Sequence, residues 1–170
     1  MADSSWHWAA QPIITVLAAF IAIAAIGWNR HVARLKATVD FIEGSESKPY
    51  YKERYEAFRL YRNDETYREA VHFPKDGEGH KKRLLCMDFL NHYELAALSC
   101  RKGIIDEDFY FYWIGPVFIR DWDAAQTLIA MLRNPRVDGD PAASAAFTEF
   151  EALAKQWRQK NVTLGNWQPR

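Results

Sequence analysis

Cysteine is scarce in this chain: Cys86 and Cys100 are the only two in 170 residues. That is too few for a disulfide framework. Helical periodicity puts both on one helix, about 21 Å apart, beyond the reach of a disulfide. Free thiols fit a reducing compartment. Basic residues are missing from one end, since all 22 Lys and Arg lie at or beyond Arg30. Only Asp3 of the 22 acids precedes that point, leaving 21 acids against 22 bases and a net charge of +1. A near-neutral domain has no electrostatic footprint for nucleic acid, and none is expected as a partner. Phosphate-binding GxGxxG and P-loop patterns are absent, as are HExxH, CxxC and a second Glu-x-x-His pair. No catalytic motif, metal site or cofactor is therefore expected. His72, His80 and His92 lack ligand spacing. No segment alternates long enough to require a sheet, and no internal repeat is found.

What is present begins with PIITVLAAFIAIAAIGW, Pro12 to Trp28, a run without a charge. Counted from Trp8, at about 1.5 Å per helical residue, the uncharged reach matches the roughly 30 Å hydrocarbon core of a bilayer. Trp6 and Trp8 flank one end and Trp28 the other, where indoles favour the headgroup boundary. Arg30, Arg34 and Lys36 follow at once, whereas residues 1–11 hold no Lys or Arg. The positive-inside bias then predicts a single-pass anchor over 12–29, with residues 1–11 outside the bacterial inner membrane and the rest cytoplasmic. A cleaved signal peptide is the rival: Ala22-Ile23-Ala24 imitates a processing site, but the positive n-region is missing. Ala18, Ala22 and Ala25 form a small-residue seam that either packs helix on helix or faces lipid as filler.

The remaining chain, about 140 residues, suits one domain. Its aromatic content of 15% points to a dense core, a sticky surface, or both. Val32, Leu35, Val39 and Ile42 carry the anchor helix on to Gly44-Ser45. Ser47 reads as an N-cap with Pro49 in the first turn of a helix reaching Arg62. Asn63 or Asp64 caps a short helix ending near Phe73. Residues 74–80, PKDGEGH, read as a mobile loop tolerant of insertion. Lys81 to Lys102 forms the central helix, closed by Gly103. Its apolar side chains cover most of the wheel, with only Asp88, His92 and Ser99 facing solvent. Asp106 caps the next helix, where Gly115-Pro116 should kink or interrupt an aromatic run. Asp140-Pro141 opens the last helix, and residues 161–170 form a tail. The expected architecture is all-α: one transmembrane helix, then a cytoplasmic bundle of about five helices over 30–160.

Asn91 and Glu94 fall among Leu84, Met87, Leu90 and Leu98, and Arg120 shares a face with Phe109, Trp113, Val117 and Ala124. A buried carboxylate needs a cationic partner. The expectation is a polar core network of Asn91, Glu94 and Arg120, structural in the plainer reading and a ligand pocket in the sharper one. Asp88, His92 and Ser99 form a candidate surface cluster. Ser99 lies about 10 Å along the axis from His92, too far for a hydrogen bond within the helix.

LNHYELAAL (Leu90 to Leu98), GIIDEDF (Gly103 to Phe109) and IRDW (Ile119 to Trp122) resemble an uncharacterised bacterial family, domain of unknown function four-seven-six-zero. Asn91, Tyr93, Glu94, Gly103, Asp106, Arg120 and Trp122 fall on its pattern. The resemblance spans about residues 35–160 and is specific over 90–122. It implies an N-terminal membrane helix and a compact helical domain, and carries over no catalytic role. Two function classes stay open. One is a membrane-tethered interaction or regulatory protein whose partners are the lipid bilayer and other proteins. The other is a small membrane-bound enzyme built around Glu94, Arg120 and His92. An effector or exclusion protein that forms homo-oligomers through the anchor is a special case of the first.

Overall fold

The computed structural model describes residues 7–134 and 145–163, with side chains from Pro12 onward. Among the described residues there are six helices and no strand: α1 (His7–Glu46), α2 (Pro49–Asn63), α3 (Glu65–His72), α4 (Gly77–Arg101), α5 (Glu107–Leu132) and α6 (Thr148–Thr163). At about 1.5 Å per residue, α1 is about 60 Å long, twice the hydrocarbon thickness of a bilayer. Residues 12–34 are exposed throughout, including Ile13, Phe20 and Ile26, and the apolar window of the helix has no buried residue. This helix is long and apolar enough to cross a membrane. Packing against the domain begins at Leu35, with Thr38 buried and Phe41 and Ile42 packed against the core, while the exposed side chains of His31 and Arg34 approach Asp106.

α4 is the centre, packed against α2, α3 and α6, with α5 completing the bundle against α6. The core is aromatic. Phe58 of α2 stacks on Phe89 of α4 at 5.0 Å, and Phe89 meets Tyr93 edge-on at 4.9 Å. Tyr93 meets Phe118 of α5 at 4.9 Å, and Phe118 reaches Trp157 of α6 at 4.7 Å. Such pairs contribute about 0.5–1.5 kcal/mol each beyond their area burial, so this file of rings ties four helices together. The buried indole of Trp157 donates to Glu107 at 3.0 Å, which keeps its N–H satisfied.

Helix ends follow local chemistry. Asp64 and Asp106 accept from the backbone N–H groups of Tyr67 and Phe109, as their N-cap positions require. Gly103 sits at φ +65° after α4, where a side chain would be strained, and the N–H of Ile104 turns back to Ser99 at 3.0 Å.

Several expectations are corrected. Residue 48, not Ser47, is the N-cap of α2, and it makes no side-chain cap. PKDGEGH is mostly helix: α4 begins at Gly77, Asp76 caps it by accepting from Gly79 at 2.7 Å, and Gly79 is buried. The cap and Glu78 in the first turn outweigh the poor propensity of two glycines. Of the kink or interruption expected at Gly115-Pro116, the interruption does not occur, since Pro116 lies inside α5, which continues to Leu132. The neighbouring Gly115 is buried against Phe111, whose ring would stand 2.7 Å from an added Cβ. Asp140-Pro141 and residues 164–170 lie outside the described residues.

Candidate functional site

The buried acid of this domain is Asp121. It is fully buried on α5, where it follows the periodicity of Phe118, Trp122, Ala125 and Leu128. Arg62 at the end of α2 reaches it with a guanidinium N–H, and the Tyr93 hydroxyl donates to its other oxygen at 3.0 Å. Arg120 adds a contact at 3.2 Å from the half-exposed side. Burial, with the Asp121 charge beside it, pushes the Tyr93 phenol well above its usual value, so it stays a donor. This node joins α2, α4 and α5.

The expected network of Asn91, Glu94 and Arg120 is not formed. Asn91 is exposed, and Arg120 pairs with Asp121 while its side chain is 52% exposed. Glu94 serves as a cap. Its two oxygens accept from the backbone N–H groups of Glu149 and Phe150, at 3.1 and 2.7 Å, at the start of α6. That places a carboxylate at a helix N-terminus, where unsatisfied donors and the dipole favour it. The chain enters α6 through Phe147 at φ 59°, a strained conformation for a bulky residue, held by a buried ring. Arg133 fixes the approach, donating to the Ala146 carbonyl at 2.8 Å and pairing with Glu151 at 2.7 Å. One step along a helix turns a side chain by about 100°, so the buried stripe is that of Asp121 and not that of its neighbour Arg120.

Asp88, His92 and Ser99 do not share a solvent-facing wedge. Ser99 is buried beneath the turn after α4. Asp88 pairs with Arg54 of α2 at 3.0 Å. His92 is stacked on Phe41 of α1 at 5.0 Å and meets Tyr51 of α2 edge-on at 5.3 Å. Burial, then the nearby Arg54, pushes its pKa down to about 4, leaving it neutral at pH 7. Asp88 and His92 instead line a cleft of about 470 Å³ between α1, α2 and α4, with Asp40, Tyr50 and Arg54. The cleft offers both charge signs and an aromatic wall. Both cysteines are free and buried, and burial pushes their thiols up to about 12, which disfavours the thiolate. Among the described residues no three His, Cys, Asp or Glu side chains gather as a metal site.

A second feature lies where the exposed half of α1 meets the domain. The hydroxyl of Thr38 accepts from the backbone N–H of Asp106 at 2.7 Å. The Asp106 carboxylate lies 3.7 Å from Arg34 and 3.9 Å from His31. The turn after α4 is thereby latched to α1 a few residues beyond Trp28. This Thr38–Asp106 contact spans 68 residues and had no local signal.

A family model described as Domain of unknown function (DUF4760) matches residues 12–157. The chain belongs to that family. The match begins at Pro12, so the family model covers the apolar half of α1 as well as the helical domain, and starts upstream of the span 35–160 over which the resemblance runs. No curated protein and no solved structure matches the chain.

Proposed function

We propose a membrane-anchored interaction or regulatory protein that holds its helical domain at the cytoplasmic face of a bacterial membrane. The supporting observation is the division of α1 into an apolar half that no described residue covers and a half docked on the core. A core helix of this composition would be buried, and exposing so many large aliphatic side chains to water is costly. The helix also runs without interruption through Ala22-Ile23-Ala24 to the Thr38 latch, which favours an anchor over a removable leader. Arg30, Arg34 and Lys36 directly after the apolar segment support the cytoplasmic placement. The enzyme reading has less support, because Glu94 caps α6 and Arg120 pairs with Asp121, so these two do not share a pocket.

Expression of the full chain in a bacterial host tests this proposal. Recovery in the carbonate-resistant membrane fraction is expected, with the domain protected from protease in intact spheroplasts. Carbonate-extractable protein would overturn the anchor; digestion without lysis would overturn its orientation.

A further inference from the structure

We infer that the groove between α1 and the turn after α4 binds the headgroup of an anionic phospholipid. It is about 610 Å³ in volume and lined by Gly27, Arg30, His31, Arg34, Lys102 and Gly103. This inference rests on the membrane-anchored reading above.

Three observations carry it. First, Gly27, Arg30, His31 and Arg34 recur at helical spacing along one wall, while Lys102 and Gly103 form the other. Gly27 belongs to the apolar segment and Arg34 to the latch, so at about 1.5 Å per residue the groove extends about 10 Å from the hydrocarbon edge through the headgroup layer. Second, two of its cations are not spent on the described residues. Arg30 and Lys102 have no ion pair among the described residues, and Asp106 engages Arg34 and His31 only at 3.7 and 3.9 Å. The next acids are committed elsewhere, Glu107 to Trp157 and Gln156, and Asp108 to Lys160. Third, the Thr38–Asp106 latch holds the second wall against α1, so Lys102 stays level with the residues leaving the membrane. Ile104, 58% exposed on the same turn, places an apolar side chain beside the basic ones. Basic groups just outside a hydrophobic span meet the phosphate of anionic lipids with little desolvation of a mobile partner.

Native mass spectrometry of the full-length protein released from nanodiscs of equimolar phosphatidylglycerol and phosphatidylcholine provides the test. The wild-type chain should retain phosphatidylglycerol preferentially. Arg30→Gln with Lys102→Gln should reduce that preference by about fivefold for each cation removed. Arg30→Lys with Lys102→Arg should keep it. Lys52→Gln with Lys75→Gln, an equal loss of charge on other elements, should keep it too. Equal retention of both lipids by the wild-type chain overturns the inference while leaving the anchor intact. Equal loss of preference in both glutamine pairs overturns it as well, as an effect of bulk charge. Displacement of phosphatidylglycerol by inorganic phosphate would assign the groove to free phosphate and overturn the lipid. Failure to enter nanodiscs of any composition would overturn the anchor and this inference together.

Discussion

α1 and α4 look alike in sequence, each apolar around most of its circumference over five turns or more, and they end in opposite surroundings. α4 is enclosed by α2, α3 and α6, which bury Phe89, Leu90, Tyr93, Ala96 and Ala97. The apolar half of α1 is enclosed by none of the described residues. Yet α4 also leaves Leu84 and Leu95 exposed, at 60% and 53%, while its Ser99 is buried. An all-round apolar pattern therefore says that a helix needs a non-aqueous surrounding. It does not say whether protein or lipid supplies it, nor which side stays open.

The largest expected effect breaks that comparison directly. Ala97→Asp places an unpaired charge in the core of α4 and should cost more than about 4 kcal/mol, leaving little folded domain. Ala22→Asp on α1 should leave the thermal midpoint of the domain unchanged and weaken membrane retention instead. Circular dichroism and fractionation of both variants check this; a destabilised domain in Ala22→Asp would mean that α1 is covered by protein.

Next comes the charge that α4 does hold in place, through Tyr93. Asp121→Ala strands Arg62 and leaves the Tyr93 hydroxyl without its acceptor, at a cost of about 3–5 kcal/mol. Arg120→Ala should cost well under that, since its guanidinium remains hydrated. Chemical denaturation of the two variants ranks them, and equal losses would contradict the assignment of Asp121 as the central acid.

The cleft where α1 joins α4 should be sensitive to acid. The pKa of His92 is about 4 in the folded protein against an ordinary 6.5. Between those values the unfolded chain binds the proton and the folded chain does not. Stability should be complete above pH 6.5 and fall by up to about 1.4 kcal/mol per unit as pH drops toward 4. His72, also lowered by burial, acts in the same direction. Melting His92→Gln alongside the wild type from pH 7 to 4.5 should show a shallower loss in the variant. Parallel curves would place the proton elsewhere.

Glu94→Ala removes the cap of α6 and should cost about 1–2 kcal/mol, concentrated at that helix start. Hydrogen exchange should accelerate at Glu149 and Phe150 before it does in α4; uniform acceleration would contradict a local cap. Smallest of all, Leu84→Lys or Leu95→Lys should change stability by no more than about 0.5 kcal/mol, despite the apolar character of both sites in sequence.

How far the site was legible follows from which interactions are local. The caps Asp64 and Asp106, the Gly103 turn and the continuous α1 rest on residues within one or two turns, and sequence shows them. Asp121 could have been found as an acid in the Phe118–Trp122–Ala125 stripe, had the register not drawn attention to Arg120. Glu94 as the cap of a helix more than fifty residues away, and Phe41 stacked on His92, had no local sign.

By itself the sequence determined that this protein is helical, that its first helix carries an apolar run long enough to cross a membrane, and that basic residues gather where that run stops. Those properties follow from periodicity and hydrophobicity, which are set residue by residue. Only the tertiary structure decided which charges are buried, which face of α4 meets water, and that Lys102 stands beside Arg30. Each is a contact between distant segments, fixed by the packing of rings and the pairing of one carboxylate rather than by anything within a turn of the residue concerned.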